Sequence, residues 1–133
     1  MSLFYMITTQ SSSVVSCTAN ENAQAVGLLV KGAPGIKNQS WQFIPDLSES
    51  NLYYIRNDDD VYLTTNGNSV IGGTIENATK WLISSLPVQK ISIADGSKWI
   101  IVNSGNLELT NTVPNVNWQV QVQDRHPLTL EAN

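Results

Sequence analysis

The segment Asn38-Gln39-Ser40-Trp41-Gln42-Phe43 recurs in weaker form as Asn77-Ala78-Thr79-Lys80-Trp81-Leu82 and as Asn115-Val116-Asn117-Trp118-Gln119-Val120, so Trp41, Trp81 and Trp118 follow one another at intervals of 40 and 37 residues. A repeat of this period constrains the fold more than any local propensity, because each unit buries its apolar face only against its neighbours. The chain reads as one unit built three times, over residues of about 3–47, 51–87 and 88–123, with a C-terminal tail at 124–133. Its 133 residues suit one domain.

Each unit reads as short strands joined by tight turns. In the second, Leu52-Tyr53-Tyr54-Ile55 and Val61-Tyr62-Leu63-Thr64-Thr65 carry the aromatic and β-branched residues that suit strands. Asn57 to Asp60 is a turn, Asn66-Gly67 is a hairpin signal, and Val70-Ile71 starts the return. The third follows the same plan through Ile91-Ser92-Ile93, Trp99 to Val102, Leu107-Glu108-Leu109 and Trp118-Gln119-Val120. Aligning Ile7, Ile55 and Ile93 without a gap makes Val15, Leu63 and Ile101 equivalent. No amphipathic helical period persists for the ten or more residues a helix needs. The first unit departs most from the plan, through a long excursion over residues 19–37 that holds Gly32, Pro34 and Gly35.

Charged residues make up only 14% of the chain, so the surface owes its polarity to Asn, Ser, Thr and Gln, groups suited to neutral hydrogen bonding. A net charge of −4 and seven scattered Lys and Arg residues oppose a nucleic-acid partner. The start, Met1 to Ile7, lacks the basic region and length of an export signal, and no stretch approaches a membrane span, which leads to the expectation of a cytoplasmic protein without membrane insertion. A lone Cys17 excludes an intrachain disulfide and, inside a strand, reads as a small buried residue.

Three four-stranded units are too few for a propeller, which leaves the β-trefoil. The chain resembles the ricin B-type (QxW) lectin family of β-trefoils, in its small disulfide-free form, across most of residues 4–123. Gln39-Ser40-Trp41 carries the family mark in full, Trp81 and Trp118 keep its tryptophan, and Tyr53-Tyr54-Ile55-Arg56-Asn57 with Tyr62-Leu63 matches the segment before it. The resemblance implies an all-β fold of pseudo-threefold symmetry and one shallow sugar pocket per unit, built from an Asp, an aromatic ring and an Asn three residues before the Trp. That Asn is present as Asn38 and Asn115, while the second unit has Ala78. The Asp position falls on Ser16, Thr64 and Val102, and no unit has the aromatic, so the usual galactose pocket is intact nowhere. The tryptophans themselves read as core plugs.

The carbohydrate site expected from these matches is Ser16, Asn38 and the 19–37 loop with Lys31, followed by Asn115 in the third unit. Asp58-Asp59-Asp60 is not an EF-hand, since loop positions 6 and 12 would be Leu63 and Ser69, and it reads as an exposed turn without metal. The one histidine, His126, precedes Pro127 in the tail and has no nucleophile at a recognisable spacing. No cofactor motif occurs. The expectation is a non-catalytic lectin for neutral glycans or glycoproteins, gaining avidity from several sites or a homodimer. The alternative is a protease inhibitor that presents Lys31 on the 19–37 loop; a discriminating feature is that no disulfide braces that loop.

Overall fold

The computed structural model describes residues 5–8, 13–17, 27–30, 36–83, 88–115 and 118–122. Most of the 19–37 loop, with Lys31, and the tail with His126 lie outside the described residues. The strands are β1 (Tyr5–Thr8), β2 (Ser13–Ser16), β3 (Gly27–Val30), β4 (Trp41–Pro45), β5 (Leu52–Asn57), β6 (Tyr62–Asn66), β7 (Ser69–Gly73), β8 (Trp81–Ile83), β9 (Val88–Gln89), β10 (Ile91–Ile93), β11 (Trp99–Asn103), β12 (Asn106–Thr110) and β13 (Trp118–Val122). Single 3₁₀ turns at Lys37–Gln39 and Ile75–Asn77 precede β4 and β8. The described residues contain no helix long and apolar enough to cross a membrane.

The all-β expectation holds, but the β-trefoil of three four-stranded units does not. Among the described residues every pairing is antiparallel, and the pairings close a ring of seven strands, β5-β6-β7-β12-β11-β10-β8 and back to β5. The closing step is lateral: β7 meets β12 at Ser69 and Glu108, and Leu109 N–H donates to the Asn68 carbonyl at 2.8 Å. Hydrogen bonding along that hairpin edge joins the second and third segments to each other, so they do not close as separate units. Strands β4, β1, β13 and β9 extend outside the ring from β5, and β3 and β2 from β12.

The tryptophans nevertheless occupy like positions. Trp41 and Trp81 are 0% and Trp118 is 1% exposed. Each indole N–H donates to a backbone carbonyl: Trp41 to Val15 at 2.8 Å, Trp81 to Leu63 at 3.2 Å and Trp118 to Ile100 at 3.2 Å. A buried indole thus satisfies its one polar atom while its rings fill the core. Ile7, Ile55 and Ile91 stand opposite Val120, Phe43 and Ile83, each two residues beyond a tryptophan. The gapless register therefore fails in the third segment: Ile91 and Ile100 are the buried counterparts, and Ile93 and Ile101 are only half-buried. The turn between β10 and β11 is one residue longer than that between β5 and β6, with Ser92 opposite Trp99 where Arg56 is opposite Tyr62, so a match without a gap cannot hold there.

The turns follow their residues. Asn57 accepts the N–H groups of Asp59 and Val61 on Oδ1, both at 3.0 Å, and so organises the Asp58–Asp60 turn. The β6–β7 loop is Gly67-Asn68, one residue later than the Asn66-Gly67 reading, with Gly67 at φ 62° and Asn66 paired to Ser69. Glycine at the first loop position is what a type II′ hairpin requires.

Candidate functional site

Hairpins β6–β7 and β11–β12 are built alike, with five paired positions each and a two-residue loop. Leu63 lies opposite Gly72 where Ile100 lies opposite Leu109, and Tyr62 lies opposite Gly73 where Trp99 lies opposite Thr110. The second segment therefore has two glycines where the third has Leu109 and Thr110. Gly72, like Leu109, faces the core, while Gly73 lacks the side chain that Thr110 carries on the other face, beside a groove of about 400 Å³ walled by Thr64, Thr65 and Asn66 of β6, by Ile71, Gly72 and Gly73 of β7, and by Thr74 and Asn77 of the turn that follows. Gly73 has no room for more: a Cβ there would lie 2.8 Å from the Thr64 Cγ2 methyl.

The groove is held from below and from the side. The Trp81 indole fixes the carbonyl of Leu63, the residue before Thr64. Thr79 Oγ1 accepts the Thr65 N–H at 3.0 Å and stands 3.2 Å from the hydroxyls of both Thr64 and Thr65. The Thr64 hydroxyl also donates to the Asn77 carbonyl, which ties the 3₁₀ turn to β6. Asn66 and Asn77 are exposed and Thr74 is half-buried, so two amides and a hydroxyl remain at the rim. Among the described residues, no lining side chain is ionisable. Lys80, just past the turn, is held by Asp46 at 3.3 Å and Glu49 at 3.4 Å. The hydrogen bond to Asp46 raises the Lys80 pKa, while for Asp46 partial burial is outweighed by hydrogen bonds from Ser48 and Lys80 and by the Lys80 charge, leaving its pKa lowered.

The residues expected from the sequence lie elsewhere. Ser16 is 2% exposed and its hydroxyl donates to the Val14 carbonyl at 3.1 Å. Asn38 is brought close to it, since Cys17 N–H donates to the Asn38 carbonyl at 3.1 Å, and Asn38 Oδ1 is buried without a hydrogen-bond partner among the described residues. Lys31 lies outside the described residues, and Asn115 is exposed ahead of β13. Cys17 is buried, and burial pushes its thiol up to about 11. Thr64 was aligned with Ser16 by the sequence, but the rest of the groove was missed. Its signal was Gly72-Gly73 at the end of a β-branched run, which the third segment lacks.

No family model matches the chain. No curated protein matches it by sequence either. Solved structures do resemble it. A mosquitocidal holotoxin matches at a TM-score of 0.77 and 18% identity, over 93% of this chain and 18% of the toxin. A GlcNAcα1-4Gal-releasing endo-β-galactosidase from Clostridium perfringens matches at 0.71 and 16% identity, over 92% of this chain and 33% of the enzyme. The β-trefoil lectin of the Vibrio vulnificus hemolysin/cytolysin, solved with N-acetyl-D-lactosamine bound, matches at 0.62 and 14% identity, over 92% of this chain and 94% of the lectin. The chain thus spans well under half of the first two proteins, and at these identities the likeness is one of fold: its neighbours include β-trefoil, lectin-like structures.

Proposed function

We propose that this protein is a non-catalytic binder of neutral glycans and holds sugar in the groove between β6, β7 and the turn Ile75–Asn77. The observation that carries this reading is the make-up of the groove, whose walls combine rim amides and hydroxyls with aliphatic and glycine surface and no ionisable side chain. Rim groups of this kind exchange hydrogen bonds with water for hydrogen bonds with sugar hydroxyls, each worth about 0.5–1.5 kcal/mol net. Charge neither attracts nor demands an ionic substituent there. The non-catalytic part of the proposal rests on the same residue types, none of which titrates near neutrality or is an activated nucleophile. The sugar named for the Vibrio lectin supports the class of ligand. A shallow single groove binds weakly, so a homodimer would raise avidity.

Saturation-transfer NMR with N-acetyl-D-lactosamine and lactose tests the reading. Transfer to either sugar from the native chain and none from Gly73→Val supports it. Equal transfer from both proteins, or none from the native chain, overturns it.

A further inference from the structure

We infer that the groove selects neutral sugars carrying an acetamido group, an inference that rests on the carbohydrate reading above and narrows it. Four threonines stand in or beside the groove, yet the hydroxyls of Thr64, Thr65 and Thr79 are engaged with one another and, for Thr64, with the Asn77 carbonyl. They are poor partners for a sugar hydroxyl, since a ligand would have to break a partly buried network to use them. Thr64 presents instead its methyl, the atom against which a Cβ at Gly73 would collide. Ile71 stands directly opposite Thr64 across the ladder, on the same face and half-buried. The floor is therefore an aliphatic strip of Ile71 and the Thr64 methyl beside bare glycine backbone, while the polar groups are the amides of Asn66 and Asn77 and the Thr74 hydroxyl at the ends.

A plain pyranose matches this arrangement badly. It offers a ring face best covered by an aromatic side chain, and no aromatic lines the groove. An acetamido group matches both parts: its methyl covers the Ile71 strip, and its amide donor and acceptor meet the donor and acceptor of an Asn side chain. One additional apolar group in a fitting pocket changes binding by about tenfold or more.

The experiment is a ¹⁵N-HSQC titration of the full chain with N-acetylglucosamine and N-acetylgalactosamine beside glucose and galactose. The expected result is that the acetamido sugars shift the Gly73 and Thr74 amides with a Kd at least about tenfold below that of the parent hexoses. In Ile71→Ser the ratio of the parent Kd to the acetamido Kd falls toward one, because the acetamido methyl loses its aliphatic partner while the parent hexoses lose less. Should Ile71→Ser lose its native spectrum, Asn77→Ala carries the same comparison. Parent hexoses binding at the groove as tightly as the acetamido sugars overturn the selectivity and leave the carbohydrate reading standing. No shift at the groove with any of the four sugars, together with a silent glycan array, overturns both.

Discussion

The indole N–H of Trp81 donates to the Leu63 carbonyl at 3.2 Å, one residue before Thr64 enters the groove wall. A core plug thereby sets the height of the groove wall. Trp118 makes the matching bond to Ile100 at the same distance, but beneath a hairpin that carries Thr110 where the other has Gly73.

This pair separates stability from function. Trp81→Phe and Trp118→Phe each remove a buried donor and part of a core side chain, and each lowers stability by about 1–3 kcal/mol in urea unfolding. Only Trp81→Phe also weakens glycan binding. Equal binding losses in the two variants would mean that the groove does not depend on the Leu63 anchor.

Gly73 and Thr64 form a second testable pair. Gly73→Ala places a Cβ 2.8 Å from the Thr64 methyl, a clash that costs about 1–3 kcal/mol as overpacking. Thr64→Ser removes that methyl and keeps the hydroxyl that donates to Asn77. In a double-mutant cycle by thermal melting, Thr64→Ser relieves the cost of Gly73→Ala by about 0.5–3 kcal/mol. Strict additivity would show that the two groups do not meet.

Much of the scaffold was legible in the residues. The tryptophans fall inside because a large aromatic repeating with the fold's period has nowhere else to pack, and the strands follow the alternation of their β-branched residues. The seven-strand ring was not legible, because it depends on which hairpin edges meet, as Ser69 meets Glu108, and local pattern carries no such information. The third-segment register failed for a similar reason: Ile91 and Ile93, like Ile100 and Ile101, are the same residue type, so one extra turn residue moved the match without disturbing it. The groove runs past the bare backbone of Gly72 and Gly73, and a search for chemistry-bearing residues passes over such positions.

Cys17 gives a pH test. Burial raises its folded pKa to about 11 from the ordinary 9.0, so the neutral thiol favours the folded state. That contribution is fully present below pH 9.0 and is lost as pH rises through about 11. Unfolding free energy measured across this range falls for the native chain and falls less for Cys17→Ala, and the native thiol reacts with a disulfide reagent only as fast as the chain opens. Rapid labelling at pH 8 would place the thiol at the surface.

On the acid side, desolvation of Asp46 is outweighed by its hydrogen bonds to Ser48 and Lys80 and by the Lys80 charge, so its pKa is lowered from 3.8 in the folded state, as that of Asp95 is by hydrogen bonds from Ser97. A lowered carboxyl contributes stability above its unfolded pKa and loses it as pH falls through the folded one. Amide exchange at Ser48 to Asn51, corrected for intrinsic rates, therefore rises below about pH 4, and salt weakens the effect because the pair is partly exposed. Lys80→Met reduces the pH dependence and leaves the part due to the Ser48 hydrogen bond; a pH dependence undiminished in that variant would show that the Lys80 pair does not contribute.

A glycan array probed in parallel with the native chain and Gly73→Val tests the central claim most directly, with native-like ¹⁵N-HSQC dispersion of the variant as the control for folding. The native chain is expected to retain neutral glycans, and Gly73→Val, with Cβ substituents in the groove, to retain none. Native binding restricted to charged glycans, or neutral-glycan binding undiminished in a folded Gly73→Val, would contradict it.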